Sequence, residues 1–177
     1  MEKTVEPWLR GTLHDVEPLP RAVLHALELA AEDVERWASG LGDQAMFARP
    51  AGLPSVAFHL RHIARSLDRL LTYAEGHPLN EAQLAALTTE MDAGTAAEAL
   101  RECREGLARA MKRVRALYSQ DFAKPRGVGR KALPTTVAGL LIHCAEHTQR
   151  HVGQMVTTAK LVTAGVHTKD VVRAAAL

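Results

Sequence analysis

Aromatic residues are scarce in this chain: Phe, Trp and Tyr together make up 4% of its 177 residues. Such side chains, with the β-branched ones, fill the half-buried faces of sheets, so their scarcity argues against a sheet-built fold. Cysteine is nearly absent. Cys103 and Cys144 are the two, too few and too far apart for a disulfide framework, and a reducing, cytoplasmic setting is the expectation. Neither sign of charge dominates, since 22 basic and 20 acidic residues leave a net +2. Electrostatics therefore makes no case for nucleic acid or a membrane surface as partner. A basic cluster does run from Arg109, Lys112, Arg113 and Arg115 to Lys124, Arg126, Arg130 and Lys131. Glu98, Glu102 and Glu105 dilute its helical part, so a solvated face is expected there. Long apolar runs are missing too: none could span a bilayer, and the expectation is that no signal peptide precedes Trp8.

What the chain has is alanine, 30 residues of it, within a hydrophobic content of 47%. Alanine and leucine are strong helix formers, and the length suits one domain with a substantial core. The expectation is an all-α fold in a single domain over 1–177, with an irregular arm at 1–19 and an extension at 165–177. Trp8 and Leu9 should tuck that arm against the body.

Apolar spacing predicts four long helices. The first starts near Pro20, ends at Ser39-Gly40, and buries Val23, Leu27, Ala30, Val34 and Trp37, with His25 off the stripe and on the surface. The second runs from Ser55 to Glu75, stopped by Gly76 and Pro78, with Val56, Leu60, Ile63, Leu67, Leu70 and Ala74 inward. Asn80 to Met91 reads as a short connecting helix with a capping box between Asn80 and Gln83. The third long helix opens at Thr95, where Glu98 repeats that signal, and runs to about Tyr118. Residues 119–134 read as a loop draped over one end, its basic residues lining a mouth. The fourth helix begins at Thr135 or Thr136 and ends near Thr163, burying Val137, Leu141, Cys144, Thr148, Met155 and Ala159. Its place on that stripe makes Cys144 a structural cysteine. The last ten residues are expected to form a short helix. Four amphipathic helices of this kind make a bundle, and bundles build metal sites from facing helices.

The compositional outlier is histidine, nine residues in all. His143, His147 and His151 recur every fourth residue in the fourth helix, a step of roughly 40° beyond a full turn, so they share one flank. Gln154 lies on the same flank, and Gly153 leaves room for another chain segment or a ligand. Two imidazoles at i and i+4 can hold one metal ion, with a third ligand from another helix. A lone histidine would more simply be polar surface; three in register favour metal. Two pairs compete. His143-Cys-Ala-Glu146-His147 matches H-x-x-E-H, the inverted zinc-peptidase pattern, in which the glutamate is general base. His147-Thr-Gln-Arg-His151 has no glutamate between its histidines and is not the zincin motif. Spacing places His59 beside the core stripe of the second helix and His62 further round.

The segment Glu146-His-Thr-Gln-Arg-His-Val-Gly-Gln154 resembles the H-x-x-x-H-x-G-Q signature in the last bundle helix of the DinB/YfiT-like family. Ser55-Val-Ala-Phe-His-Leu-Arg-His-Ile63 resembles that family's second-helix motif, and the likeness spans about Pro7 to Leu161. The resemblance implies a four-helix bundle with a divalent metal on three histidines. Matched position by position, these are His62, His147 and His151, with His59 the substitute for His62. His143 departs from the minimal pattern, as a pocket wall or a group behind the ligands.

Three imidazoles leave a coordination position for water or substrate, the arrangement of a catalytic metal. Family members that use low-molecular-weight thiols imply a thiol-dependent transferase acting on small electrophiles, with Glu146 or His143 accepting the proton. A metal-dependent hydrolase, and a non-catalytic metal- or ligand-binding stress-response protein, are the alternatives. Zinc suits the donors best, and nickel or iron also suits imidazole. The expected partner is a small-molecule substrate, and the residues leave a homodimer open.

Overall fold

The structure, a computed structural model, describes residues 5–117 and 121–165. Six helices and one hairpin follow in order: α1 (Pro18–Ala38), α2 (Asp43–Phe47), α3 (Val56–Glu75), α4 (Glu81–Ala86), α5 (Ala96–Ala116), β1 (Pro125–Val128), β2 (Leu133–Thr136) and α6 (Val137–Thr163). Their starts are chemically specified. Side chains of Ser55, Asn80, Thr95 and Thr136 accept from the backbone N–H of Phe58, Gln83, Glu98 and Gly139, and the Asn80 and Thr95 caps are full capping boxes.

Four long helices, α1, α3, α5 and α6, enclose one apolar core. Leu27, Leu60, Ile63, Leu67, Leu71, Leu107, Leu141 and Met155 are fully buried in it. α1 packs on α5 and α6, and α3 packs on the same two, so α1 and α3 lie across the diagonal. Side-chain partners give the directions. Arg65 meets Glu102 while Arg113 meets Asp68 and Glu75, so α3 and α5 run parallel. Gln149 reaches Ala26 and the Lys160 ammonium sits over the Trp37 ring, so α1 and α6 also run parallel. His59 faces His151 while His62 faces His147, so α3 and α6 are antiparallel. The bundle is therefore two parallel pairs set against each other. The connections between α1 and α3 and between α5 and α6 both cross the diagonal.

Three expectations need correction. Residues 119–134 are not a plain loop: within them β1 pairs antiparallel with β2, Pro125 opposite Thr136 and Val128 opposite Leu133. Lys124, Phe122 and the hairpin lead directly into the first turn of α6, where Val137 and Ala138 donate to the carbonyls of Lys124 and Phe122. Arg126 donates to the Ala74 carbonyl, and Arg126 and Arg130 line a cleft there, so the basic mouth exists at this end. Second, His25 is buried, its Nε2 3.3 Å from the Thr12 hydroxyl, because the N-terminal arm covers that side of α1. Third, Trp8 and Leu9 do not tuck in. They are 61% and 58% exposed, and Pro7 and Val16 are the arm's buried contacts. Tyr118 and the expected C-terminal helix lie outside the described residues.

One contact sets how closely α3 and α5 approach. A Cβ at Gly106 would lie 2.5 Å from the Cβ of Ala64 and 2.9 Å from its Cα. Gly106→Leu is expected to force these helices apart and cost about 3 kcal/mol, the upper end for overpacked cores. A urea midpoint unchanged from the parent would contradict this packing.

Candidate metal centre

The site lies where α3 crosses α6 near the middle of the bundle. A little over two turns of α6 carry His143, His147 and His151 along one flank, and α3 presents Phe58, His59 and His62 to them. Of these, His62, His147 and His151 gather: each offers a ring nitrogen, and the three lie within 4.8 Å of one another. All three are half-buried, at the edge of the core. The Nε2 atoms of His62 and His147 are 2.9 Å apart, and the His62 and His151 ring centroids are 4.3 Å apart. Phe58 stacks on His62 at 5.4 Å and closes the apolar side.

The donor chemistry fits a cation. His62 Nδ1 is 2.7 Å from the buried Glu90 carboxylate, so that nitrogen carries the proton and Nε2 holds a bare lone pair. That lone pair points at His147 Nε2, while His147 Nδ1 is buried with no hydrogen-bond partner among the described residues. A zinc ion with ligands at ~2.0 Å holds tetrahedral donors about 3.3 Å apart, close to the 2.9 Å between His62 Nε2 and His147 Nε2. The three-histidine cluster thus fits a divalent-metal site.

Glu90 was not legible in the sequence, where it falls in the short connecting segment with nothing to mark it. Its oxygens receive His62 Nδ1 at 2.7 Å and Arg69 Nη1 at 3.3 Å. Burial alone would raise its pKa. The hydrogen bonds from His62 and Arg69 and their charges outweigh that and hold it below the ordinary carboxylate value. A carboxylate behind a ligating imidazole fixes its tautomer and orientation.

His59 is not in that group of three. It is fully buried, with Nδ1 3.1 Å from His151 Nδ1, bracing that ring from behind. His143 also stands outside the cluster, its Nδ1 2.7 Å from Glu146 Oε1, with its ring 5.2 Å from that of His147. The H-x-x-E-H pair therefore does not assemble as ligands; it forms an exposed imidazole–carboxylate dyad beside them. The bond to His143 lowers the Glu146 pKa. Cys103 and Cys144 are buried, and burial pushes both thiols up to about 12, which makes them inert packing groups.

Burial also lowers His59 and His147 to about 4 and His151 to about 3, with the charge of His62 adding to each. The folded protein thus refuses protons that the unfolded chain accepts near ~6.5. Stability from these groups is complete above that value and drains away as pH falls toward 4. The melting temperature of chelator-treated protein is expected to be flat above neutrality and to drop between pH ~6.5 and ~4. A flat profile across that window would contradict the burial of these imidazoles.

Two comparisons place this arrangement. In fold, the chain is similar to YfiT from Bacillus subtilis, described as a probable metal-dependent hydrolase with an unusual four-helix bundle topology. The TM-score is 0.59 at 16% identity, over 81% of this chain and 87% of that one. No curated protein matches the chain. The model of the DinB superfamily matches residues 26–155, which carry α3, α5 and most of α1 and α6, with His62, His147 and His151. With the bundle and the histidine cluster in the same span, the chain belongs to the DinB superfamily.

Proposed function

We propose that this protein is a divalent-metal enzyme that joins a small thiol to a small electrophile, with His62, His147 and His151 as the ligands and zinc as the ion. The observation that supports this best is the placement of the His143–Glu146 dyad one turn from His147 on the solvent side of the cluster. When bound, the ion would supply a Lewis acid with a free position at which a nucleophile is held in its anionic form. Glu146 faces His143 Nδ1 and keeps the proton there, which leaves His143 Nε2 bare to accept one. Nε2 takes the thiol proton, the sulfur forms a bond to the electrophilic carbon, and the leaving group departs with its electron pair. Glu146 stabilises the imidazolium until it returns the proton to the leaving group. A side-chain base strips a thiol of pKa ~8.5 readily, whereas water stands at ~15.7.

Hydrolysis is the second reading, because the same dyad can serve water and because the structural neighbour bears that description. The two separate in one experiment on cobalt-substituted protein. Adding glutathione, mycothiol or bacillithiol should produce an intense near-ultraviolet charge-transfer band that alkylated thiol does not give. Cys144→Ala is the control for a protein thiolate. A silent thiol panel with cobalt bound would overturn the transferase reading. Cobalt-dependent turnover of activated esters or amides would then establish the hydrolase, and its absence a non-catalytic binder.

A further inference from the structure

A cavity of about 310 Å³ lies against the ligand cluster, between Leu53 and Pro54 before α3 and the solvent side of α6. His59 is shared between the two. It lines the cavity and places Nδ1 3.1 Å from His151 Nδ1. Leu53 and Pro54 make an apolar wall, and the Thr158 hydroxyl ties that wall to α6 by donating to the Pro54 carbonyl. Arg150, Gly153 and Gln154 form the opposite side.

Gly153 is the anomaly. It sits in the interior of a 27-residue helix, where glycine costs up to ~1 kcal/mol relative to alanine. Glycine is tolerated inside a helix where its φ is positive or where another segment approaches closely. Neither holds here: its φ is not positive, and a Cβ built on it meets nothing within 4 Å among the described residues. What the missing side chain does preserve is the open cavity. Arg150, one residue before His151, is exposed at the rim; its charge helps lower the Glu146 pKa, but no carboxylate among the described residues lies within ion-pair distance of it. An unpaired guanidinium above an apolar wall suits a carboxylate on a short apolar body.

We propose that this cavity binds the electrophile, and that the electrophile is a small carboxylic acid whose apolar chain lies on Leu53 and Pro54 and whose carboxylate pairs with Arg150. The proposal rests on the histidine cluster being the reaction centre, which the cavity adjoins through His59, the neighbour of His151. Gly153 is then a specificity position: its bare backbone is the floor on which the chain rests.

Titration calorimetry of the metal-loaded, full-length protein with hexanoate, and with hexanamide as the neutral analogue, tests this. Hexanoate should bind at least tenfold more tightly than hexanamide. Gly153→Leu, whose side chain enters open space, should weaken hexanoate at least tenfold with metal content unchanged, and Gly153→Val replaces it if the leucine variant does not fold. Arg150→Gln should lose about tenfold for hexanoate and nothing for hexanamide, as for a charge-assisted hydrogen bond. Hexanoate affinity insensitive to both variants but abolished by chelator would mean that the carboxylate binds the ion alone, which overturns the proposal. Loss in Gly153→Leu without loss in Arg150→Gln would overturn the carboxylate assignment, and no binding at all would overturn the whole. Protein that carries no metal, yet binds hexanoate in a Gly153- and Arg150-dependent way, would retain the cavity and remove the reading of the cluster.

Discussion

Replacing His147 with alanine should strip the protein of its divalent ion. Four-ligand structural zinc sites supply about 10–16 kcal/mol, so one imidazole of such a set is worth roughly 10²- to 10³-fold in affinity. His62→Ala and His151→Ala should match it, because the three rings converge from two helices and none is duplicated. Glu90→Gln should lose about 10- to 100-fold, since it removes the carboxylate that turns His62 Nε2 toward the cluster without removing a donor. His143→Ala should leave metal content untouched. Elemental analysis of protein prepared without an affinity tag, followed by competition with a chromophoric chelator, reads this whole series. Full occupancy in His62→Ala together with loss in His59→Ala would move the third ligand to His59.

The second large effect falls on turnover with metal still bound. Glu146→Gln keeps the size of the side chain but cannot hold His143 as an anion does, and His143→Ala removes the base itself. Correctly placed general bases contribute about 10²- to 10⁴-fold, and kcat should drop within that range in both variants. The double variant should be no worse than the worse single one, because the two residues act as one unit. A pH–rate profile separates this from a structural role, since loss of the base should remove its acid limb while metal content stays constant. Unchanged kcat in Glu146→Gln would sink the dyad as the proton acceptor.

Where side chains repeat on a lattice of local geometry, the sequence was readable. Caps at Ser55, Asn80, Thr95 and Thr136 announce the helices because each is a hydrogen bond over three residues. The α6 histidines were visible for the same reason. His62 was not: periodicity put His59 nearer the core, and the structure agrees that His59 is the more buried of the two. Burial and membership of the three-histidine group are different properties, and the family motif pointed to the second. Glu90 was hidden because its contact with His62 spans 28 residues of chain and follows no period. The hairpin was missed because four-residue strands containing Pro125, Gly127 and Pro134 carry loop composition, and pairing with each other is what makes them strands. His25 and Trp8 failed together, since the path of the N-terminal arm decides which is covered.

The two diagonal connections bear on the order in which the protein can be built. As the chain emerges during synthesis, α1 has neither of its long partners until residue 96 and beyond appear, and its parallel neighbour α6 is the last of all. The α3–α5 pair can dock early, with Gly106 against Ala64, but it leaves the α6-facing side of α3, His59 and His62 included, uncovered. Contacts that join chain ends are slow to form because the loop entropy is spent before they repay it. Two of the three gathered histidines arrive only with α6, so a nascent or truncated chain holds one imidazole and a carboxylate, too weak a grip to retain an ion. Metal capture is in this way tied to completion of the chain, and an ion once held acts as a clasp on the final docking step.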